Sequence, residues 1–393
     1  MNPHAHALPE VTLPRSFRLL RILVGAGVVM MLWRFLAGLG ATTALNDGYP
    51  WGLWIAFDVV TGTALACGGY AIAILVYVLN KGEYHPLVRP ALVTSALGYT
   101  LAGLAIVLDV GRYWNLYKVL YVWRWNLNSV LLEVALCIMA YVVVLWIELS
   151  PAFLERWRRS PRRALRWISQ KGDPLLQRAL IWIIALGILL PTMHQSSLGS
   201  LLLIATHKLH PLWHTPLLPL LFLISCIAMG YAVVVFESAL SSHLFHRRVE
   251  KRMLASLSSV MVGVLLVYLL VRFVDVAVRG QLGAAFRFDG YSVLFLVEVA
   301  LFLAPALMLL SRRARTRSGS LFRAAMLMML AGAWYRFDVY LIAFNPGRGW
   351  IYFPSVPELV ISMSIVALEI LGYVAIVRRF PILGGLASAT GER

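Results

Sequence analysis

Charge is what this chain of 393 residues has least of: 13% of its residues are charged, against 60% hydrophobic. So little charge cannot cover a soluble domain. With a mean hydropathy of +0.78, the composition instead describes a polytopic membrane protein. Cysteine is nearly missing as well. Cys67, Cys137 and Cys226 stand alone in apolar runs with no C-x-x-C spacing. That excludes an iron–sulfur cluster or c-type haem held by this chain and leaves the three as small packing residues. Histidine is scarce where b-type haem would need it. Only His194 belongs to an apolar run; His85, His207, His210, His214, His243 and His246 fall in loops, and His4 and His6 in the N-terminal tail. Bis-histidine haem inside the bilayer therefore lacks its ligands, no metal site is expected, and a redox role would need electrons from another subunit. No short apolar stretch with a cleavage site precedes the first long apolar run, so that run is expected to act as the insertion signal itself.

What is abundant is length of apolar chain. A helix needs about 20 such residues to cross the hydrocarbon core. Runs of that kind lie near 19–40, 52–79, 91–111, 129–149, 175–193, 216–239, 253–277, 292–311, 321–343 and 359–377. The expected fold is all-α, with about ten transmembrane helices in one domain over 19–379. Residues 1–18 and 380–393 are tails. The stretch 198–215 is too short and too polar to span and is expected to be interfacial or re-entrant.

Lys and Arg outnumber Asp and Glu by 35 to 18, a formal charge of +17. Their placement explains the excess without nucleic acid. One alternating set of loops holds Arg15 and Arg18, Lys81 and Arg89, the run from Arg156 to Lys171, Arg247 to Arg252, Arg312 to Arg317, and Arg378 with Arg379. The other set holds only Arg112, Lys118, Arg124, Lys208, Arg279, Arg287 and Arg348. By the positive-inside rule both termini are cytoplasmic. The sparse side has aromatic loops at 112–128 (RYWNLYKVLYVWRWNLN) and 345–354 (NPGRGWIYFP). Such residues suit the bilayer interface, and also a docking surface. Ser129-Val-Leu-Leu-Glu133 and Ser292-Val-Leu-Phe-Leu-Val-Glu298 form a faint repeat. It suggests two related four-helix bundles plus extra helices.

Ionisable residues inside spans are costly and face partners or cavities. Arg272 with Asp275, and Asp109 with Arg112, have the spacing of ion pairs within a helix. Glu148 and Glu237 lie at cytoplasmic ends, where solvation accounts for them. Arg34, Asp58, Glu133 and His194 share a depth in the outer half, with Tyr99 near mid-span. His194 follows Pro191 in Leu190-Pro-Thr-Met-His-Gln-Ser-Ser197, where the helix is expected to break. The cluster is either glue between helices or a site for a redox-active or protonatable ligand. An Asp, a Glu and a His together exceed what glue requires and favour the site.

Several of these stretches resemble one family. They are Trp51-Gly-Leu-Trp-Ile-Ala-Phe-Asp58, Cys67-Gly-Gly69, Tyr84-His-Pro-Leu-Val-Arg-Pro-Ala91, Asp109-Val-Gly-Arg-Tyr-Trp-Asn115, Asn128-Ser-Val-Leu131, Leu190 to Ser197, and Ala343-Phe-Asn-Pro-Gly347. Together they are similar to the integral membrane subunit of hydrogenase-2-type nickel–iron hydrogenases (HybB type), in the polysulfide-reductase/NrfD-like family. The resemblance implies a haem-free subunit of the bacterial inner membrane. Its implied partners are a ferredoxin-like iron–sulfur subunit and the hydrogenase small and large subunits on the periplasmic side. Electrons from hydrogen would reach menaquinone or ubiquinone near the outer face. The family's proposed proton-conducting positions match Tyr99, Glu133 and His194. Quinone reduction needs hydrogen-bond partners for two carbonyls and a supply of protons. His194 with Gln195 is expected to meet one carbonyl and Asp58 to meet the other or deliver protons, while Tyr99 and Glu133 relay protons. Glu298, Arg336 and Glu369 would extend a path toward the cytoplasm. Two alternatives remain: a quinol-oxidising anchor of a sulfur- or nitrite-reducing complex, and a proton-coupled transporter.

Overall fold

A backbone in hydrocarbon must satisfy its own hydrogen bonds, which leaves long apolar segments little choice but the helix. The computed structural model describes residues 16–205, 207–245 and 251–383. Among them, ten helices are long and apolar enough to cross a membrane. In chain order they are Ser16–Ala37, Trp54–Val78, Val88–Asp109, Val130–Arg158, Arg163–Leu201, Leu218–Leu244, Lys251–Val278, Gly290–Leu310, Ser318–Ile342 and Val356–Arg379. The described residues contain no β-strand. Most of the two tails, together with His246, Arg247 and Arg248, lies outside the described residues.

Neighbour relations divide the helices. The second to fifth spans pack on one another, as do the sixth to ninth. The first span lies along the tenth, against the second and third. Burial ranks them: 78% of the apolar stretch of the second span and 72% of the sixth is buried, against 11% for the first and the fifth. The second and sixth spans are thus the axis where the two bundles meet. Their backbones touch. A Cβ on Gly230 would stand 2.6 Å from the Cys67 carbonyl oxygen and 2.8 Å from the Ala71 Cβ. The second span is also irregular, with π-helical turns at Trp54–Thr61 and Ile74–Val78. Such turns shift which side chains face each neighbour and recur at functional sites.

One expectation fails at Pro191. The fifth span does not break there but runs on to Leu201. Pro191 removes the donor to the Gly187 carbonyl, but the helix continues, and the hydroxyls that follow bond to other carbonyls of the same helix. Thr192 Oγ1 donates to the Ile188 carbonyl at 2.8 Å and Ser196 Oγ to the Thr192 carbonyl at 2.9 Å. His194 therefore sits inside a helix rather than at its end.

After Leu201 the chain turns back into the protein. Leu212, Trp213 and Thr215 are fully buried. The loop is tied to the end of the ninth span by His210 N–H to the Ala343 carbonyl (2.9 Å) and Asn345 N–H to the Lys208 carbonyl (2.6 Å).

Gly230→Val is expected to force the second and sixth spans apart at a cost of about 1–3 kcal/mol. A shorter half-life of the detergent-solubilised protein at fixed temperature would register it, whereas Gly263→Val, with nothing within 4 Å of the added Cβ, is expected to leave it unchanged.

Candidate functional site

The helix that survives Pro191 projects His194 and Gln195 into the middle of the first bundle, where both are fully buried. His194 Nδ1 lies 2.8 Å from the Leu190 carbonyl, which can only accept. Nδ1 therefore carries the proton of the neutral ring, and Nε2 accepts. Tyr99 OH, 2.8 Å away, donates to that Nε2. The Tyr99 oxygen in turn has Cys67 Sγ at 3.1 Å. The result is a directed chain: Cys67 S–H, Tyr99 O–H, His194 N–H, Leu190 carbonyl. Gln195 Nε2 donates to Thr63 Oγ1 at 3.0 Å and lies 3.3 Å from His194 Nε2. Its Oε1 is buried without a partner. Tyr141 closes the chamber, its ring edge-on to Tyr99 with centroids 4.6 Å apart.

Glu133 stands one step away. Ser129 caps the fourth span, and Glu133, in its first turn, accepts from Ser197 Oγ at 2.8 Å. Ser197 follows His194 on the same helix by three residues, so Glu133 binds the fifth span about one turn away from His194 rather than at His194 itself.

Asp58 belongs to another place. It is buried in the π-helical part of the second span and accepts from Ser362 Oγ of the tenth span at 2.5 Å, with Oδ1 unpartnered. Ser362 lines a crevice of about 540 Å³ whose other walls are apolar, among them Leu23, Phe57, Phe337, Met363 and Ile370. Met363 and Ile370 are exposed beside it, so the crevice borders the lipid-facing surface. Among the described residues, Asp58 shares no hydrogen-bond partner with His194 or Gln195.

The second bundle is arranged as charge pairs. The expected pairing of Arg272 with Asp275 is not the one observed. Arg272 pairs with Glu298 of the eighth span at 3.3 Å, and Asp275 takes Arg279, one turn further on, through two contacts of 3.0 and 2.7 Å. Spacing along one helix ignores where a long guanidinium points. Trp213 Nε1 also donates to Glu298 at 2.6 Å. The Asp109–Arg112 pair does not form either. The third span ends at Asp109, so no helical turn brings the exposed Arg112 back. Arg34 of the first span does not replace it as an ion-pair partner: it donates to the Leu108 and Val110 carbonyls at 2.7 and 2.9 Å, and Asp109 Oδ1 is buried without a hydrogen bond. Arg336, fully buried, donates to the Val60, Phe222 and Gly332 carbonyls.

Glu369 lies beside Gly98, whose added Cβ would stand 3.1 Å from its Oε1. Glu237 is not simply solvated: it accepts from Thr94 Oγ1 at 2.8 Å. Asp338, fully buried in the π-helical end of the ninth span, is a further intramembrane carboxyl beside Glu298. Sequence reasoning missed Thr63, Cys67 and Ser362, which look like ordinary small residues. Only the pair of glycines after Cys67 hints at close packing there.

The "Polysulphide reductase, NrfD" family profile matches residues 41–344. The chain belongs to the NrfD family. It is 43% identical over 361 residues to the "Probable Ni/Fe-hydrogenase 2 b-type cytochrome subunit" of Escherichia coli K12, covering 91% of this chain and 89% of that one. It is 30% identical over 254 residues to the "Menaquinone reductase, integral membrane subunit" of Nitratidesulfovibrio vulgaris Hildenborough, covering 62% and 58%. A third relative, a selenate reductase subunit of Mesobacillus selenatarsenatis, is 26% identical over 243 residues, covering 56% and 55%. NrfD-family membership and ten apolar helices make this a multi-pass membrane subunit of a redox complex.

Tyr99→Phe keeps the ring packed on Tyr141 and deletes the central hydroxyl of the chain. Its stability cost is expected at about 1 kcal/mol, whereas Tyr99→Ala, which empties the chamber, is expected to cost about 3–5 kcal/mol. Thermal inactivation of the two purified variants compares them directly.

Proposed function

We propose that this chain is the haem-free, quinone-reacting membrane subunit of a respiratory nickel–iron hydrogenase in the bacterial inner membrane, with both termini in the cytoplasm. The observation that carries the reading is the apolar crevice between the first, second and tenth spans, with Asp58 behind its Ser362 wall. A quinone has a long apolar tail and two carbonyls. The crevice suits the tail, and the Ser362 hydroxyl in its wall, hydrogen-bonded to Asp58, suits a carbonyl.

Reduction of quinone to quinol takes two electrons and two protons. The electrons come from outside this chain, through a ferredoxin-like iron–sulfur subunit and the hydrogenase small and large subunits. The aromatic 112–128 loop, with Trp114, Tyr117 and Trp123 exposed, suits that docking. The E. coli relative, similar along nine-tenths of both chains, favours hydrogenase over a sulfur- or nitrite-reducing partner. The menaquinone reductase relative supports quinone as the substrate, with menaquinone or ubiquinone both admissible.

Proton supply falls to the interior chain. Tyr99 and His194 both donate and accept, and Glu133 is bonded to Ser197 about one turn from His194. We assign Asp58 to proton delivery toward the quinone through Ser362, which lines the crevice. His194 and Gln195, whose donors are already committed to neighbours, stand behind it as proton holder and positioning residue. Glu369, Glu298 and Arg336 extend the polar interior toward the arginine-rich end, and a path through them would make turnover electrogenic.

The b-type cytochrome in the relative's name does not fit the residues present. His194 is the one histidine among the described residues placed deep in a span, and both its ring nitrogens are hydrogen-bonded.

The purified complex is expected to contain nickel and iron, while this chain alone carries neither and shows no haem absorption. Asp58→Asn, which cannot deliver a proton, is expected to lower hydrogen-dependent quinone reduction on the order of 10–100-fold. Hydrogen oxidation with a water-soluble dye, which bypasses the quinone, is expected to stay at the wild-type rate. Equal losses in both assays would refute the assignment.

A further inference from the structure

The arginine run between the fourth and fifth spans has no part in the function above. The end of the fourth span, the start of the fifth and the end of the tenth meet around a pocket of about 420 Å³. Arg156, Arg159, Arg162 and Arg379 line it, together with Trp157 and Phe380. All four arginines are exposed.

Among the described residues, nothing neutralises their charges. The nearest acids in sequence are used elsewhere: Glu155 pairs with Arg89 at 3.0 Å, and Asp173 with Arg158. Among the described residues, no carboxylate lies within ion-pair distance of the four lining arginines. The two helix C-termini here contribute only about half a negative charge each. The pocket is also shaped. Arg166 donates to the Ser160 carbonyl and Ser160 Oγ accepts from Arg162 N–H, each at 3.3 Å, which fixes the turn.

An apolar ridge leads away from it. Phe153 stacks between Trp146 and Trp157, with centroids 6.2 Å apart on each side, and meets Phe380 edge-on at 4.6 Å. The ridge descends along the fourth span into the hydrocarbon zone.

We propose that this pocket binds the phosphodiester head group of an anionic phospholipid, with an acyl chain lying along Trp146, Phe153 and Trp157. Guanidinium groups match phosphate oxygens in pairs, and basic pockets between helices at the membrane surface take such head groups. A topological signal needs positive charge but no pocket and no aromatic ridge. The site is independent of the electron partner and requires only that these helices cross a bilayer.

The test uses the full complex purified from membranes, delipidated, and titrated with vesicles of phosphatidylcholine alone or with phosphatidylglycerol or cardiolipin. Retained lipid is counted by native mass spectrometry. Anionic lipid is expected to be retained selectively. The triple variant Arg156→Gln/Arg159→Gln/Arg162→Gln is expected to weaken retention about fivefold per arginine removed, on the order of a hundredfold in all. Arg312→Gln/Arg313→Gln/Arg317→Gln, with the same charge change in another loop of the same end, is expected to retain it. Arg379→Gln alone reads the site from a different helix, at about fivefold, should the triple variant fail to fold. Equal loss in both triple variants, or no loss in Arg379→Gln, would overturn the proposal. So would equal retention of phosphatidylcholine, or displacement of the lipid by millimolar inorganic phosphate, which has no chain to lie on the ridge.

Discussion

The second span has protein on nearly every side, and that enclosure governs the rest of the bundle. A polar group presented by any neighbour must find its partner on this helix, because neither water nor lipid supplies one. Asp58 answers Ser362 of the tenth span, Thr63 answers Gln195 of the fifth, Cys67 answers Tyr99 of the third, and Tyr70 OH meets Thr192 of the fifth at 2.8 Å. Its backbone takes part as well, with the Val60 carbonyl accepting from Arg336 of the ninth. The π-helical turns fit this demand. They stagger the side chains so that one helix serves four neighbours.

Much of this is legible in the sequence. Ten spans follow from length and hydropathy, and Asp58, Tyr99, Glu133 and His194 stand out as polar residues where polarity is expensive. The limits of legibility are physical. Pro191 looks like a helix stop because a proline removes a donor, but one lost bond does not end a helix whose other residues stay packed between neighbouring spans. Spacing gives Arg272 and Asp109 partners along their own helices. For Arg272 the choice is made across helices, by Glu298, while Arg34 binds the carbonyls on either side of Asp109 rather than its carboxylate, and single-helix spacing carries no information about either. Thr63, Cys67 and Ser362 are invisible for a related reason: small polar residues acquire meaning only when a neighbour arrives opposite them.

The two bundles handle buried polarity in opposite ways. In the first, the groups around His194 are an imidazole, a phenol, a thiol, an amide and a hydroxyl, and the carboxyls of Asp58 and Glu133 are bonded to serine hydroxyls rather than to arginines. Each link of the His194 chain can accept a proton on one side as it releases one on the other. In the second, Glu298 and Asp275 are held against arginines, and removing either member would strand a buried charge at a cost of about 3–5 kcal/mol. Ion pairs fix geometry, whereas neutral chains leave protons free to move. A proton path through Glu298 must first loosen its pairing with Arg272. A path through Tyr99 and His194 needs only the reorientation of a hydroxyl and an exchange of ring protons. The first bundle is accordingly the better place for proton traffic, and the second the better frame against which it stays in register.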